Sequence, residues 1–529
     1  MSKRYQVIIV GGGPVGVGLA IDLAQRGVSC ALIERRVGMH TIPKGQNLTQ
    51  RTLEHFYFWG CVDEVRAQRM LPPEVPAAGI VAYRDLMSAY WHDFQGREIL
   101  GDYYFQKNDR LPQYLFEAVL RKRMASLPQV DARFGWAAQD VAQDDAGVRV
   151  RVVHEEGNGA AEVLEADYVV GCDGAHSVVR ERAGIQRDGT DFDQIMVLAV
   201  FHSREFDEGM KRFPMRSTYR AMDPALNGYW QFFGRIDPEE GFFFHAPVPA
   251  DTTRDNYDFA GLLHKAAGFK FSCRFEHVGF WDLRVAVAEK YRAGRIFIAG
   301  DAAHSHPPYG GFGVNNGLED SANLGWKLAA RLDGWAGEGL LDSYDLERRP
   351  VFKQVGDEFI AARIKWEGEV INRHDPVRDP EAFAHDWAEL KTGAGPIVAN
   401  FEPNYEGSPI VFGPPGGVTG ARGTHMFKAR PGHHLAPRKL SSGRDIFEEL
   451  GRGFVLLALD APADAVHALE AAAGALKIPL KVLRDTFAAG REDFGARLVL
   501  VRPDQYVAWA GDRAPPDAAS ILRRVVGLD

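Results

Sequence analysis

The first residues along this chain whose types and spacing suggest a chemical role are Gly11-Gly12-Gly13-Pro14-Val15-Gly16. This run fits the pattern GxGxxG, and it stands between a short β-branched stretch and a stretch with helical character. Such glycines allow a tight turn, close approach of the backbone to a pyrophosphate, and close packing of the helix on the strand. Glu34 ends the next apolar run and could accept hydrogen bonds from a ribose hydroxyl. The start of the chain therefore predicts a βαβ unit that binds a dinucleotide.

Two later segments place an acid beside a glycine. Asp173-Gly174 comes shortly after the predicted strand of residues 166–170, and Gly300-Asp301 follows directly on the predicted strand of residues 296–299. The first motif by itself does not distinguish FAD from NAD. The two later motifs do distinguish FAD from NAD, through the family resemblance that the order GxGxxG, DG, GD carries.

In this order and at these separations, the three motifs resemble those of the group A flavoprotein monooxygenases, the family of para-hydroxybenzoate hydroxylase and phenol hydroxylase. The resemblance is strongest over residues 300–329, GDAAHSHPPYGGFGVNNGLEDSANLGWKLA. It implies that Asp301 contacts the ribityl chain of FAD and that the turn of residues 308–315 passes along the isoalloxazine ring. Backbone N–H groups of that turn, with the following helix N-terminus, would favour the negative charge of reduced flavin.

Two shorter segments extend the resemblance. Lys44, in PKGQNLTQRTLE, matches a basic residue that meets the FAD pyrophosphate, although the family often has arginine there. Gln113, in RLPQ at the start of a predicted helix, matches a glutamine that contacts FAD. The predicted FAD-binding residues are Gly11, Gly13, Pro14, Gly16, Glu34, Arg35, Lys44, Gln113, Asp173, Gly300, Asp301, Pro308, Gly311, Gly313, Val314 and Asn315.

The elements that must position these residues predict an α/β protein. We expect a Rossmann-type FAD-binding domain (residues 1–72, 107–186 and 284–395), a β-sheet substrate domain (73–106 and 187–283), and a linker with a C-terminal thioredoxin-like domain (396–529). Residues 194–280 are rich in aromatic residues separated by turns, which indicates a sheet. Residues 393–432, dense in Gly and Pro, predict irregular structure. The C-terminal domain lacks a CxxC motif, so the resemblance implies packing or formation of a homodimer rather than thiol chemistry.

Composition narrows the class of protein further. The chain has 529 residues, 46% hydrophobic and 25% charged, as in a soluble globular protein, and its net charge of −9 argues against a nucleic-acid partner. We expect no membrane span, no signal peptide and no metal site. Four widely spaced cysteines without a CxxC pair fit a reducing cytoplasm.

The resemblance implies an activity. A nicotinamide would reduce FAD, O2 would form a flavin hydroperoxide, and a small aromatic substrate, phenolic in the simplest case, would be hydroxylated. A second GxGxxG is absent, so the choice between NADPH and NADH stays open, with NADPH preferred. Three alternatives also stay open: a decarboxylating hydroxylase, a reductase, and a non-catalytic flavin-binding protein. The WxWxIP signature of flavin-dependent halogenases is absent.

The residues that act on the substrate are harder to predict. Phenol hydroxylase has an acid at the position of Gln46, and an amide cannot serve as a general base. His245 is the nearest plausible base, and Tyr229 is a further candidate. The catalytic candidates are Tyr309, Gln46, His245 and Pro308, and the substrate-binding candidates are Trp230, Phe232, Phe243 and Tyr309.

Overall fold

The computed structural model describes residues 4–94, 96–156, 159–190, 194–513 and 517–529. The predicted α/β class is confirmed: the chain forms a largely parallel first sheet, a separate mixed sheet in which most pairs are antiparallel, and a C-terminal α/β unit. Segments of the first 400 residues alternate between the two large sheets.

The first sheet has the Rossmann arrangement. Its central strand, Arg4–Val10, pairs in parallel with Cys30–Glu34 on one side and with Ala161–Gly171 on the other. The order of its main path is Arg292–Ala293, Ile296–Ile298, Ala161–Gly171, Arg4–Val10, Cys30–Glu34, Val130–Phe134, and the antiparallel strands Gly147–His154 and Trp136–Asp144 extend it from Ala161–Gly171. The central strand is almost wholly buried because helices cover the sheet, which explains its continuous apolar run.

The helices of this part include the predicted ones and several that the sequence pattern did not indicate. Their bounds are Pro14–Gln25, Gln50–Phe58, Val62–Arg66, Gln113–Ala125, Val178–Arg182, Gly313–Leu332 and Glu338–Gln354. We call Gly313–Leu332 the flavin helix. It begins at Gly313, five residues before the helix start at Leu318 that the apolar periodicity predicts, because the Asn315 amide of its first turn bonds neighbouring loops while Val314 packs against the core.

The second sheet contains seven strands and is here called the substrate sheet. Its order is Arg274–Asp282, Gln194–His202, Gly241–Pro249, Gln231–Arg235, Thr218–Met222, Gly79–Tyr83, Trp91–Phe94. Helices Arg204–Met210 and Phe259–Ala267 pack on one face over a phenylalanine-rich core. Alternation along Gly241–Pro249 sends Phe242 and Phe244 into that core and leaves Phe243 and His245 on the opposite face. This second face is the wall of the cavity described below.

The remaining regular elements are short or connect the larger units. Small sheets pair Arg187–Thr190 and His304–Ser305 with Val285–Ala288, Asn47–Leu48 with Asp109–Arg110, and Phe401–Asn404 with Gly420–Arg422. Short 3-10 turns occur at Arg97–Tyr103, Pro224–Leu226, Gly300–Ala302, Ile446–Glu448 and Arg491–Phe494. A π-helical segment, Val355–Ala361, continues into the helix Ala362–Ile371.

The expectation of irregular structure from residue 393 onward is wrong for its first part. A helix, Pro380–Ala399, runs through it despite its glycines. Phe383 and Trp387 on this helix pack against Tyr83 and Tyr90 of the substrate domain. These aromatic contacts stabilise a helix that local propensity disfavours, because tertiary packing outweighs the cost of a glycine.

The C-terminal unit is a four-stranded sheet with the expected thioredoxin-like mixture of parallel and antiparallel pairs. Its strand order is Leu480–Asp485, Phe454–Leu459, Leu498–Val501, Val507–Gly511, and its helices are Ala463–Ala475 and Ala518–Val525. Buried ionic contacts attach it to the flavin helix region. The Arg502 guanidinium donates to Glu347 at 2.6 and 2.9 Å and to Asp504, and Lys327 of the flavin helix donates to Glu347 at 2.6 Å.

Candidate active site

The turn after the first strand has the geometry that the glycine motif requires. Gly11 adopts φ +110°, and a Cβ there would lie 2.2 Å from the Cys172 carbonyl oxygen. A Cβ on Gly16 would lie 2.0 Å from the Gly11 carbonyl oxygen, so helix and turn are in direct contact. A Cβ on Gly13 would meet nothing within 4 Å. The open space lies where a phosphate would approach the helix N-terminus.

Glu34 closes this turn from the neighbouring strand. Its carboxylate accepts a hydrogen bond from the Gly12 N–H at 2.7 Å and another from the Arg36 N–H at 2.8 Å. Both contacts fix the carboxylate at the end of the sheet, beside the glycine turn. That position is where a ribose hydroxyl would meet it in a bound dinucleotide.

The DG and GD motifs lie next to each other in space. The Asp173 carboxylate accepts from the Ser177 hydroxyl at 2.5 Å and from the Val179 N–H at 3.2 Å. Arg180 then joins the two motifs, since its guanidinium donates to the Ala302 carbonyl at 2.9 Å. Asp301 opens into the cavity, and burial by the surrounding walls raises the pKa of its carboxyl. Segments about 120 residues apart in sequence therefore form one wall.

The predicted flavin turn is built on left-handed glycines. Gly310 and Gly311 have φ +71° and +66°, a conformation that side chains resist. Asn315 braces the turn: its amide donates to the Gly311 carbonyl at 2.6 Å and to the Asn47 carbonyl at 2.8 Å. Its Oδ1 accepts from the Thr49 N–H at 2.9 Å. The Asn315 side chain thus holds two loops together, and it is absent from the cavity lining.

A buried ionic network under the GD motif escaped the sequence reasoning. Asp320 accepts from the Gly300 N–H at 3.0 Å and from the Arg348 guanidinium at 2.7 Å, and it lies 2.7 Å from His304 Nε2. Burial by itself would raise the pKa of Asp320, but His304 and Arg348 outweigh it and lower the pKa. Asp320 and Arg348 lie on different helices, so no local sequence signal links them.

These walls enclose a single large cavity of about 1230 Å³ that also reaches the substrate sheet. The predicted FAD-binding residues that line it are Gly11, Gly13, Pro14, Glu34, Arg35, Lys44, Gln113, Asp173, Asp301, Pro308, Gly311, Gly313 and Val314. Gly16, Gly300 and Asn315 lie behind this lining. No salt bridge involves Lys44 among the described residues, and its ammonium faces the cavity, where it could meet an anion. Burial and the neighbouring Arg36 lower its pKa, and the nearby carboxylates of Asp301 and Glu117 oppose that effect only in part.

The other half of the cavity lies against the substrate sheet. All of Gln46, Trp230, Phe232, Phe243 and His245 line it, together with Trp281, which the sequence reasoning missed. The ring of His245 lies 5.0 Å from that of Phe232 and 4.9 Å from that of Trp281. Burial, with a smaller contribution from Arg110, lowers the pKa of His245 to about 3. The imidazole is therefore neutral at neutral pH.

The prediction that Tyr309 contacts the substrate is wrong, because its side chain points away from the cavity. Its side chain is 2% exposed, packs among apolar residues and is absent from the cavity lining. The phenol oxygen accepts a hydrogen bond from the Trp230 N–H at 2.8 Å, and the two rings lie 4.8 Å apart. Its neighbours Pro308 and Gly310 do line the cavity. Burial raises the pKa of the Tyr309 hydroxyl.

Glu367 organises the inner end of the cavity. Its carboxylate accepts from Arg220 at 2.5 and 3.1 Å, from Arg363 at 2.9 Å and from Trp230 Nε1 at 2.7 Å. Burial by itself would raise the pKa of Glu367, but the two arginines outweigh it and hold the pKa at about 2. Sequence reasoning missed these residues because they come from a strand and from a helix almost 150 residues later.

The residues present fit FAD. Four features lie along one cavity. They are a glycine turn with open space at Gly13, the acid Glu34 at the end of the next strand, the cation of Lys44, and a left-handed glycine turn. Across the described ranges, no group of three or more His, Cys, Asp or Glu side chains could hold a metal ion. Among the helices of these ranges, none combines the length and the apolar character that a membrane span needs.

Comparison with known proteins agrees with this site. Residues 4–358 match the family model described as FAD binding domain, and residues 428–528 match that described as aromatic-ring hydroxylase, C-terminal. The chain is 30% identical to 4-methyl-5-nitrocatechol 5-monooxygenase of Burkholderia sp over 553 residues, covering 98% of this chain and 96% of that protein. It is 30% identical to aklavinone 12-hydroxylase RdmE of Streptomyces purpurascens, covering 99% of each.

Solved structures give the same result across the whole chain. The flavin-dependent monooxygenase PieE in complex with FAD and substrate superposes with a TM-score of 0.85 at 26% identity, covering 99% of both chains. A ternary complex of aklavinone-11 hydroxylase with FAD and aklavinone superposes with a TM-score of 0.81 at 26% identity, covering 99% of this chain and 100% of that one. The chain is thus an FAD-dependent monooxygenase that belongs to the aromatic-ring hydroxylases, in the phenol-hydroxylase-like branch of the group A flavoprotein monooxygenases.

Proposed function

We propose that this enzyme uses NADPH or NADH, with NADPH preferred, and O2 to hydroxylate a phenolic aromatic substrate. The observation that carries the proposal is the continuity of the cavity. The glycine turns that would hold FAD and the aromatic face of the substrate sheet line the same cavity. A ring on that face would lie against the turn of Pro308 and Gly311 with no protein wall between them.

When bound, FAD would supply the redox chemistry, taking electrons from the nicotinamide and activating O2. The protein would supply binding, orientation and exclusion of water. Phe232, Phe243 and Trp281 give the substrate half flat apolar walls, which suit a planar ring. Their rings also keep bulk water from the reacting atoms.

His245 would serve as a hydrogen-bond acceptor rather than as a base. Its Nδ1 is buried without a partner among the described residues. Because the pKa of His245 is about 3, its imidazole is a poor proton acceptor near neutral pH. Its lone pair can still accept a hydrogen bond from a substrate hydroxyl and fix the orientation of the ring.

The names of the relatives favour phenolic rings. One acts on a methylnitrocatechol and another on aklavinone. Both a monocyclic phenol and a polycyclic one are therefore candidates within the proposed class.

The test is anaerobic reduction of the FAD-loaded protein by NADPH. The rate of reduction is measured from the loss of flavin absorbance, with and without each of a panel of phenols. We expect one or more phenols to accelerate reduction, and the same phenols to gain one oxygen atom in air, as shown by mass spectrometry. Equally fast reduction with every addition, and no oxygenated product, would show a reductase instead. Release of CO2 with the product would show a decarboxylating hydroxylase. Failure of the protein to take up FAD would overturn the proposal entirely.

A further inference from the structure

The turn that follows the strand Leu498–Val501 is buried, although turns of this kind ordinarily lie at the surface. Its residues Arg502, Asp504 and Gln505 are only 2%, 2% and 4% exposed. We call residues 502–506 the C-terminal loop. Gln505 adopts φ +65°, a left-handed conformation that favours glycine. A glutamine in this conformation indicates that its side chain makes a specific contact.

That contact is with Arg51, which lies 454 residues earlier in the sequence. The Arg51 guanidinium donates to Gln505 Oε1 at 2.7 Å and to the Asp504 carbonyl at 2.6 Å. The same guanidinium donates to the carboxylate of Glu319, on the flavin helix, at 3.1 Å. Gln505 Nε2 donates to the Pro503 carbonyl at 2.7 Å, which fixes the orientation of the amide. One arginine thus bonds the C-terminal loop to the flavin helix.

The loop meets the flavin helix again one turn further along. Asn323 Nδ2 donates to the Asp504 carboxylate at 3.4 Å and to Glu347 at 2.7 Å. Glu347 also accepts from Lys327 of the helix and from Arg502 of the loop, both at 2.6 Å. The helix residues in these contacts recur every four positions and therefore lie on one side of the helix: Glu319, Asn323 and Lys327.

The beginning of the same helix reaches the half of the cavity that fits FAD. Its first residues, Gly313 and Val314, line the cavity. Asn315, four positions before Glu319, accepts from the Thr49 N–H at 2.9 Å and so continues the bonded side of the helix to its first turn. The N–H groups of a helix N-terminus favour negative charge, and reduced flavin carries more negative charge than oxidised flavin. The position of this helix should therefore affect reduced FAD more than oxidised FAD.

We propose that the C-terminal loop, through Gln505 and Arg51, positions the flavin helix so that its N-terminal turn stabilises reduced FAD. Both are positioning residues, since neither lines the cavity. The inference goes beyond the proposed function, because it depends on FAD binding and not on the substrate or the nicotinamide. It gives the C-terminal unit, which has no CxxC motif, a part in setting the redox properties of the enzyme.

Gln505→Gly tests this with the loop intact, because glycine suits φ +65° while the contact with Arg51 is lost. In the FAD-loaded protein we expect faster hydrogen–deuterium exchange of the flavin-helix amides over residues 313–327. Affinity for reduced FAD should fall about threefold to tenfold more than affinity for oxidised FAD. This difference is measured as a more negative flavin midpoint potential, by anaerobic titration against a reference dye.

The matched control is Lys477→Gly. Lys477 is exposed, and it also has a left-handed conformation in the C-terminal unit, with φ +58°. Its replacement by glycine relieves the same backbone strain without touching the C-terminal loop. We expect both the exchange of residues 313–327 and the midpoint potential to equal those of the wild type.

Arg51→Lys provides a second variant that keeps the positive charge beside Glu319. A shift of the potential in this variant cannot come from a lost charge. The lysine ammonium cannot make all the contacts of the guanidinium fork, so the potential should shift in the same direction as in Gln505→Gly. The double variant should shift it little further than Arg51→Lys does, because both changes remove the same link.

An unchanged midpoint potential in both Gln505→Gly and Arg51→Lys would overturn the inference, even if either variant unfolds at a lower temperature. An equal shift in Lys477→Gly would overturn it as well, because the effect would then not come from the C-terminal loop. Neither result bears on the proposed function, which phenol-stimulated flavin reduction tests separately.

Discussion

The Tyr309 hydroxyl accepts a hydrogen bond from the backbone N–H of Trp230 at 2.8 Å, which joins the flavin turn directly to the substrate sheet. The two residues are 79 positions apart, and their rings are also in contact. The distance between the two halves of the cavity therefore depends on one buried tyrosine that does not itself line the cavity.

Tyr309→Phe should cost stability without abolishing turnover. The Trp230 N–H would lose its partner, and an unsatisfied buried donor costs about 1–3 kcal/mol. We expect this loss in the free energy of unfolding in urea, with phenol-stimulated NADPH oxidation changed by less than about tenfold. Tyr344→Phe, which removes a comparable buried hydroxyl contact with the Ile298 carbonyl, is the matched control. A much larger loss of turnover at unchanged stability would instead give Tyr309 a catalytic role.

Gly13→Ala should separate binding of FAD from folding. The added Cβ meets no protein atom within 4 Å, and Gly13 already has φ −75°, so the protein without FAD should unfold as the wild type does. The methyl group would occupy the space left for the pyrophosphate and weaken FAD binding by about tenfold or more. Fluorescence titration with FAD measures this.

Two further glycine variants control that experiment. Gly16→Ala should destabilise even the FAD-free protein, by about 1–3 kcal/mol, because its Cβ would lie 2.0 Å from the Gly11 carbonyl oxygen. Gly474→Ala, in a C-terminal helix and facing open space, should leave FAD affinity unchanged. Unchanged FAD affinity in Gly13→Ala would show that the pyrophosphate lies elsewhere.

His245→Asn should make the protein less sensitive to acid. The folded-state pKa is lowered to about 3 from the ordinary 6.5, so between these values the unfolded chain binds a proton that the folded chain does not. Stability is therefore highest above pH 6.5 and falls toward pH 3, with a slope of up to about 1.4 kcal/mol per pH unit from this group.

Urea unfolding at several pH values checks this slope. As the pH falls from 6.5 toward 3, the stability of the wild type relative to His245→Asn should fall by up to about 1.4 kcal/mol per pH unit, since other buried histidines contribute equally to both proteins. The exposed His467 supplies a control, and His467→Asn should leave the slope unchanged. Parallel pH curves for wild type and His245→Asn would mean that the imidazole is solvated and protonates normally.

Arg502→Met should weaken the attachment of the C-terminal domain to the flavin helix. Removal of the guanidinium leaves Glu347 buried with Lys327 as its remaining cationic partner, and loss of one member of such a cluster costs about 3–5 kcal/mol. We expect a lower unfolding temperature and faster loss of FAD on dilution. Arg444→Met, which breaks an exposed pair with Glu449, should change the unfolding free energy by less than about 1 kcal/mol.

The sequence by itself determined the parts of this protein whose chemistry is local. The glycines of 11–16 and 310–313, the acid at Glu34 and the apolar strands follow from constraints that act within a few residues, such as a left-handed φ or a buried parallel strand. Three such motifs in order indicated FAD and the hydroxylase family through their resemblance to the group A flavoprotein monooxygenases. Short-range sterics and hydrophobic periodicity can be read from the chain alone.

Only the tertiary structure decided which side chains share the substrate half of the cavity. It turned Tyr309 away from that space, kept His245 neutral, and brought Glu367 into contact with Arg220 and Trp230, which lie more than 130 residues away in sequence. Charge, burial and orientation depend on what packs around a side chain, and these neighbours are distant in sequence. Distant neighbours also explain the helix Pro380–Ala399. Its last residues have a composition that favours a loop, but aromatic contacts with the substrate domain stabilise the helix.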